Sequence, residues 1–158
     1  MMRSLGSADL RGALDALGAI AEGTAAGGAF ARDGLASLPR LVASEITTLS
    51  VCDLDSGHRR VTTDVPGAIP ARECEAFDRH FHAHPLLRAH GRNPQASTRR
   101  ISDLVPAQEF RRSALYNDYY RPIRIEHAVA VPIHVHRNVL VGFVLNRRGR
   151  DFSDRDRD

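Results

Sequence analysis

The spacing of apolar positions changes character along this chain, helical at first, alternating in the middle, and alternating again toward the end. Between Ala8 and Glu22, Leu10, Ala13, Leu14, Leu17, Ile20 and Ala21 recur at helical spacing, and Gly23 supplies a stop, which predicts an amphipathic first helix. Thr24 to Gly28 are small residues that read as a linker. Leu35, Leu38, Leu41 and Val42 then predict a second helix, with Pro39 near its first turn.

Glu45 to Leu54 is rich in β-branched residues, Asp55-Ser56-Gly57 is a turn, and His58 to Asp64 is a second strand, so an antiparallel hairpin is expected here. Val65 to Pro70 is a Pro/Gly connection, and Ala71, Cys74, Phe77 and Phe81 share one face of a helix over Pro70 to Phe81. A less regular crossover follows. It holds short helical segments with Phe110, Leu115, Tyr116 and Tyr119, ended by Arg121-Pro122.

The pattern from His127 to His136 is a strict period of two: His127, Val129, Val131, Ile133 and Val135 on one side, Ala128, Ala130, Pro132, His134 and His136 on the other. His134 and His136 therefore fall opposite His127. Arg137-Asn138 turns the chain into Val139 to Asn146. That strand is apolar at nearly every position, as expected of a central strand covered on both faces. The fold class that follows is α+β, a central, mostly antiparallel sheet with flanking helices. At the end, Phe152 precedes Ser153-Asp154-Arg155-Asp156, a capping box with an apolar staple. A helix of barely one turn does not hold by itself, so the natural protein is expected to continue past Asp158.

Composition narrows the class. A chain of 158 residues with 42% hydrophobic content is long enough for one domain with a core. No apolar run reaches the roughly 18 to 20 residues that cross a bilayer, and no signal-peptide pattern opens the chain. Two cysteines, Cys52 and Cys74, without a CxxC spacing fit free thiols in a reducing cytoplasm. All 22 basic residues are arginine and the net charge is +3. The pairs Arg59-Arg60, Arg99-Arg100, Arg111-Arg112 and Arg147-Arg148 are scattered among acidic residues and read as solvated faces rather than as a stripe along a phosphate backbone.

The order of elements, together with Pro85, Gly91, Ser102-Asp103, Glu109-Phe110, Tyr116-Asn117-Asp118-Tyr119-Tyr120-Arg121-Pro122, His127 and Asp151 to Asp156, resembles the GAF-like sensory region that precedes the helix-turn-helix domain of LuxR-type bacterial regulators. The resemblance covers about residues 30–158. It implies a GAF/PAS-like fold, with residues 1–28 as helix and linker and 29–158 as a sensor domain cut at the start of its C-terminal helix. It also implies a pocket between the sheet and the crossover helices, a small-molecule signal, a homodimer, and DNA contact only through a C-terminal domain absent from this chain. The residues expected to line that pocket are Phe81, His84, Phe110, Tyr116, Tyr119 and His127, aromatic and imidazole side chains that can orient a ligand. The chain has no tryptophan, which argues against an acyl-homoserine lactone.

Other chemistry finds little in the residues. His80, His82, His84 and His90 are candidate metal ligands, but a helical placement spreads them around the axis, and Pro85 favours histidines at a helix end. There is no GxSxG elbow and no P-loop lysine. No enzyme, no cofactor, no metal and no membrane contact are expected. The rival readings are an interaction or dimerisation module whose pocket is filled by its own side chains, and a small metal-dependent or redox enzyme using the histidines or cysteines.

Overall fold

The computed structural model describes residues 25–93 and 97–157. The helix expected over Ala8 to Glu22 lies outside them. The first described helix, α1, spans Ala25–Leu41, so residues expected as linker form its first turn, and Pro39 sits in its last turn, not its first. Burial explains the extension. Phe30, Ala31, Leu35 and Leu38 lie on one stripe and pack against Leu49, Val141 and Phe143 of the sheet, and such packing outweighs the low helix propensity of Gly27 and Gly28. At Pro39 the missing N–H no longer caps the carbonyl a turn earlier, and the helix ends two residues on.

Five strands form one antiparallel sheet: β1 (Ile46–Asp53), β2 (His58–Thr63), β3 (Arg99–Arg100), β4 (His127–His136) and β5 (Val139–Arg147), in the order β2-β1-β5-β4-β3. Both expected hairpins are present. The first turns through Asp55 to Gly57, where the Asp53 carboxylate accepts from the Asp55 and Ser56 amides at 3.0 and 3.2 Å. The second turns through Arg137-Asn138. β5 is the middle strand and is covered on both faces, as its continuous apolar run requires: α1 lies over Val141 and Phe143 and Phe152 over Leu145 on one side of it, and the crossover over Leu140 on the other. Gly34 brings α1 close to the sheet, since a Cβ there would fall 2.3 Å from the Phe143 ring.

The alternation of β4 is broken. A bulge between Pro132 and His134 takes Ile133 out of register, so His134 pairs with Val141 on the face that also carries Val131, Val129 and His127. His134 is therefore not opposite His127, and Val135 moves to the crossover side, against Leu140.

The crossover runs α2 (Ala71–Arg79), a 3-10 turn at Phe81–Ala83, α3 (Pro85–Arg92), β3, a second 3-10 turn at Ile101–Asp103, α4 (Ala107–Arg112) and a π-helical turn at Tyr116–Tyr120. Phe77, Phe81, Phe110, Tyr119 and Tyr120 form a chain of edge-to-face ring contacts with centroids 5.0 to 6.3 Å apart along most of its links and 4.9 Å between the two tyrosines. Fully burying one such side chain contributes about 1.5–3 kcal/mol. α5 (Asp154–Arg157) starts as its sequence predicts: Ser153 Oγ accepts from the Asp156 amide at 3.2 Å, and Asp156 accepts from the Ser153 amide at 2.8 Å. Phe152 is buried against Val129 and Leu145. The result is the α+β, PAS/GAF-like architecture, with the core split by the sheet into an α1 side and a crossover side.

Candidate functional site

On the crossover side a cavity of about 50 Å³ remains between the sheet and α2, α3 and the π turn. The sheet forms its floor through Thr48, Ser50 and Cys52 of β1, Arg59 of β2, Pro132 of β4, and Leu140, Gly142 and Asn146 of β5. The registers explain why these side chains meet. Cys52 pairs with Arg59 across one side of β1 and with Leu140 across the other, and Ser50 pairs with Gly142. Gly142 adds no side chain beside Ser50. A Cβ at that position would sit 2.9 Å from the Val131 carbonyl oxygen, because the bulge draws the two backbones together. Phe77, His84, Leu86, Leu87, His90, Tyr119 and Tyr120 close the roof.

The polar groups around this cavity are unusually buried and only partly paired. Arg59 is 8% exposed, although a strand arginine beside a second arginine reads as surface. Alternation turns Arg59 inward and Arg60 outward. Its guanidinium lies 3.5 Å over the Phe77 ring and donates from Nη2 to the Tyr119 hydroxyl at 3.1 Å. Among the described residues no carboxylate lies within ion-pair distance of it. His84 Nδ1 accepts from the Leu86 amide at 3.2 Å. Burial, and then the Arg59 charge, push this imidazole down to about 3. It is therefore neutral with its proton on Nε2, which donates to the Tyr120 hydroxyl at 2.8 Å. Both tyrosine oxygens thus accept a hydrogen bond and keep their own O–H hydrogen available. Burial raises both phenols above their ordinary range, so both stay protonated.

His90 goes further. It is 2% exposed, and neither ring nitrogen has a hydrogen-bond partner; Ser50 Oγ, also buried, has none either. Burial first, and Arg99 second, lower the His90 pKa, so it too is neutral, with one donor and one acceptor nitrogen. An unsatisfied buried polar group costs about 1–3 kcal/mol. Cys52 is buried and its thiol is pushed up to about 12 by burial, which makes it a small apolar wall rather than a nucleophile.

No family model matches the chain, and no curated protein does. A solved structure does. The VqsR LBD domain from Pseudomonas aeruginosa superposes with a TM-score of 0.60 at 13% identity, over 96% of this chain and 86% of that one. At that identity the likeness establishes the fold shared by the two domains. It does not transfer a site, and the side chains of this cavity stand on their own geometry.

Of the six residues expected to line a pocket, His84 and Tyr119 do line this cavity. Phe81 is buried behind it, packed on Phe77. Phe110 stacks against Tyr116 and Tyr120, one layer further out. Phe110 and His127 border a separate cleft of about 30 Å³ beside Ile101 and Asp151. His127 is held there by the Gly149 carbonyl at 3.1 Å and faces Asp151 at 3.5 Å. The histidine series diverges: His80 meets Asp118 at 2.7 Å, His84 meets Tyr120, and His90 faces the cavity. Among the described residues no three His, Cys, Asp or Glu side chains gather as a metal site would require. Sequence reasoning missed Arg59, Ser50 and His90 as pocket residues, whereas Tyr120 shares the helical spacing of Tyr116 and Tyr119 that could line a cavity. Period two through β1 and β2 was the one available signal for Arg59 and Ser50.

Proposed function

We propose that this chain is the sensory domain of a LuxR-type transcriptional regulator: it binds a small molecule in the cavity under the sheet and, as a cytoplasmic homodimer, controls a DNA-binding domain C-terminal to residue 158. The observation that carries the reading is the pair of buried, unpartnered side chains, His90 and Ser50, facing the cavity beside the buried Arg59. A folded domain gains nothing in stability from such groups, whereas a binding site needs them for specificity. The fold likeness to a ligand-binding domain and the order of sequence motifs support the same reading. The domain acts by binding alone, with no catalytic step; the protonated Cys52 fits that role.

A second reading, a dimerisation module without ligand, is favoured by the size of the cavity. About 50 Å³ lies well below the roughly 300–1,000 Å³ of sites for drug-sized molecules. Native mass spectrometry of the purified chain separates the two. The sensory reading expects a dimer retaining an organic adduct that His90→Leu weakens; a dimer that retains nothing, and binds nothing from a metabolite library, supports the module.

A further inference from the structure

We propose that the ligand of this cavity is a short-chain monocarboxylate, with its carboxylate on the Arg59 guanidinium; this rests on the sensory reading and names its ligand class. Buried charges in proteins are paired, since an isolated ion is costly to remove from water. Arg59 is buried and has no carboxylate partner among the described residues. The ring face of Phe77 covers one side of its guanidinium plane, and one N–H is used on Tyr119. The remaining N–H groups lie in that plane, which is the geometry that receives a carboxylate along its edge.

Charge and lining select among anions. One guanidinium matches a single negative charge, whereas a phosphate group would bring more charge than the site neutralises. Beside Arg59 the wall also carries Phe77 and Cys52, with Leu140 beyond Cys52, an apolar stretch that suits an alkyl body. Beyond it, the orphaned His90 and Ser50 can serve a second oxygen of the ligand or an accompanying water. At about 10–15 Å³ per water-sized occupant, the cavity of about 50 Å³ has room for about three to five non-hydrogen atoms. Acetate and propionate fall in that range.

Calorimetric and ligand-observed NMR titrations of the 158-residue chain with acetate, propionate, acetamide, propionamide and inorganic phosphate test the assignment. The expected result is saturable binding of a carboxylate, with the uncharged amide of the same shape weaker by at least about tenfold, the usual worth of a charge-assisted hydrogen bond. Arg59→Met is expected to lose the same factor. Arg59→Lys, which keeps the charge without the planar fork, falls between. The amide comparison needs no variant and stands even where Arg59→Met does not fold. Equal binding of amide and carboxylate, undiminished binding by folded Arg59→Met, or binding of phosphate alone overturns the ligand class. If native spectra then still hold a neutral adduct displaced by His90→Leu, only the class has failed; if no adduct and no saturable ligand is found, the sensory reading fails with it.

Discussion

At the scale of single residues, the cavity wall is where stability and function pull apart. His90 has two ring nitrogens without partners at 2% exposure, and Ser50 adds an unpaired hydroxyl. Replacing an unsatisfied polar side chain by an apolar one of similar volume removes a desolvation penalty and creates none. His90→Leu is therefore expected to stabilise the ligand-free chain by about 1 kcal/mol, read as a higher urea midpoint at unchanged m-value. A destabilised variant would show that His90 is a structural histidine whose nitrogens are satisfied by ordered water. Arg59 and Arg147 show a second residue-scale effect. Each is the inward member of an Arg-Arg pair, and Arg147 spends its guanidinium on the Ala43 carbonyl at 2.6 and 3.0 Å and stacks on Phe152 at 4.1 Å. These two strand pairs thus divide, one arginine of each inside, because a strand cannot point two consecutive side chains the same way, whereas Arg111 and Arg112 on a helix are both exposed.

At the scale of elements, the bulge in β4 decides which side chains reach the cavity. Without it, strict alternation would put Ile133 and Val135 on the α1 face and His134 on the crossover face. With it, Val135 backs the crossover core beside Leu140. The bulge depends on Gly142 across the strand pair, where a methyl group would meet the Val131 carbonyl at 2.9 Å. That contact is with backbone and has no rotamer to relieve it. Gly142→Ala is expected to cost about 1–3 kcal/mol, the usual range for overpacking, measured by chemical denaturation; a neutral substitution would mean the bulge can relax. The crossover has its own device: the π turn at Tyr116–Tyr120 places Tyr119 and Tyr120 side by side, both buried, one toward Arg59 and one toward His84.

At the scale of the whole molecule, buried neutral histidines make stability depend on pH. The His84 pKa falls from an ordinary value of 6.5 to about 3 on folding, and that of His90 is also lowered. A group with a depressed folded pKa takes up its proton more readily in the unfolded chain, so its contribution is complete above pH 6.5 and is lost as pH falls toward 3. The unfolding free energy is expected to drop by about 1.4 kcal/mol per pH unit for His84 below that point, with His90 adding in the same direction. Urea titrations between pH 7.5 and 5 check the slope, and His84→Gln, which cannot titrate, is expected to flatten it. An unchanged slope in that variant would assign the pH dependence to other groups. Arg59 links this behaviour to the site, because its charge lies beside both the His84 ring and the cavity.

The sequence by itself determined the elements that local pattern controls: both hairpins and their turns, the central place of β5, the capping box at Ser153, and the α+β class. Each rests on a period or a cap that neighbouring residues supply. His84 and Tyr119 were legible as pocket residues because they are aromatic or imidazole groups in the crossover that the resemblance marks. Tertiary structure alone decided the rest. Helix α1 reaches back through Ala25 to Gly28 because a sheet face waits to be covered. His134 changes face because the β4 and β5 backbones meet at Gly142. Arg59, Ser50 and His90 become neighbours across three elements far apart in the chain. Periodicity tells which way a side chain points from its own strand or helix; which other side chains it meets there depends on register, bulges and crossover packing, and those are set only when the elements close on one another.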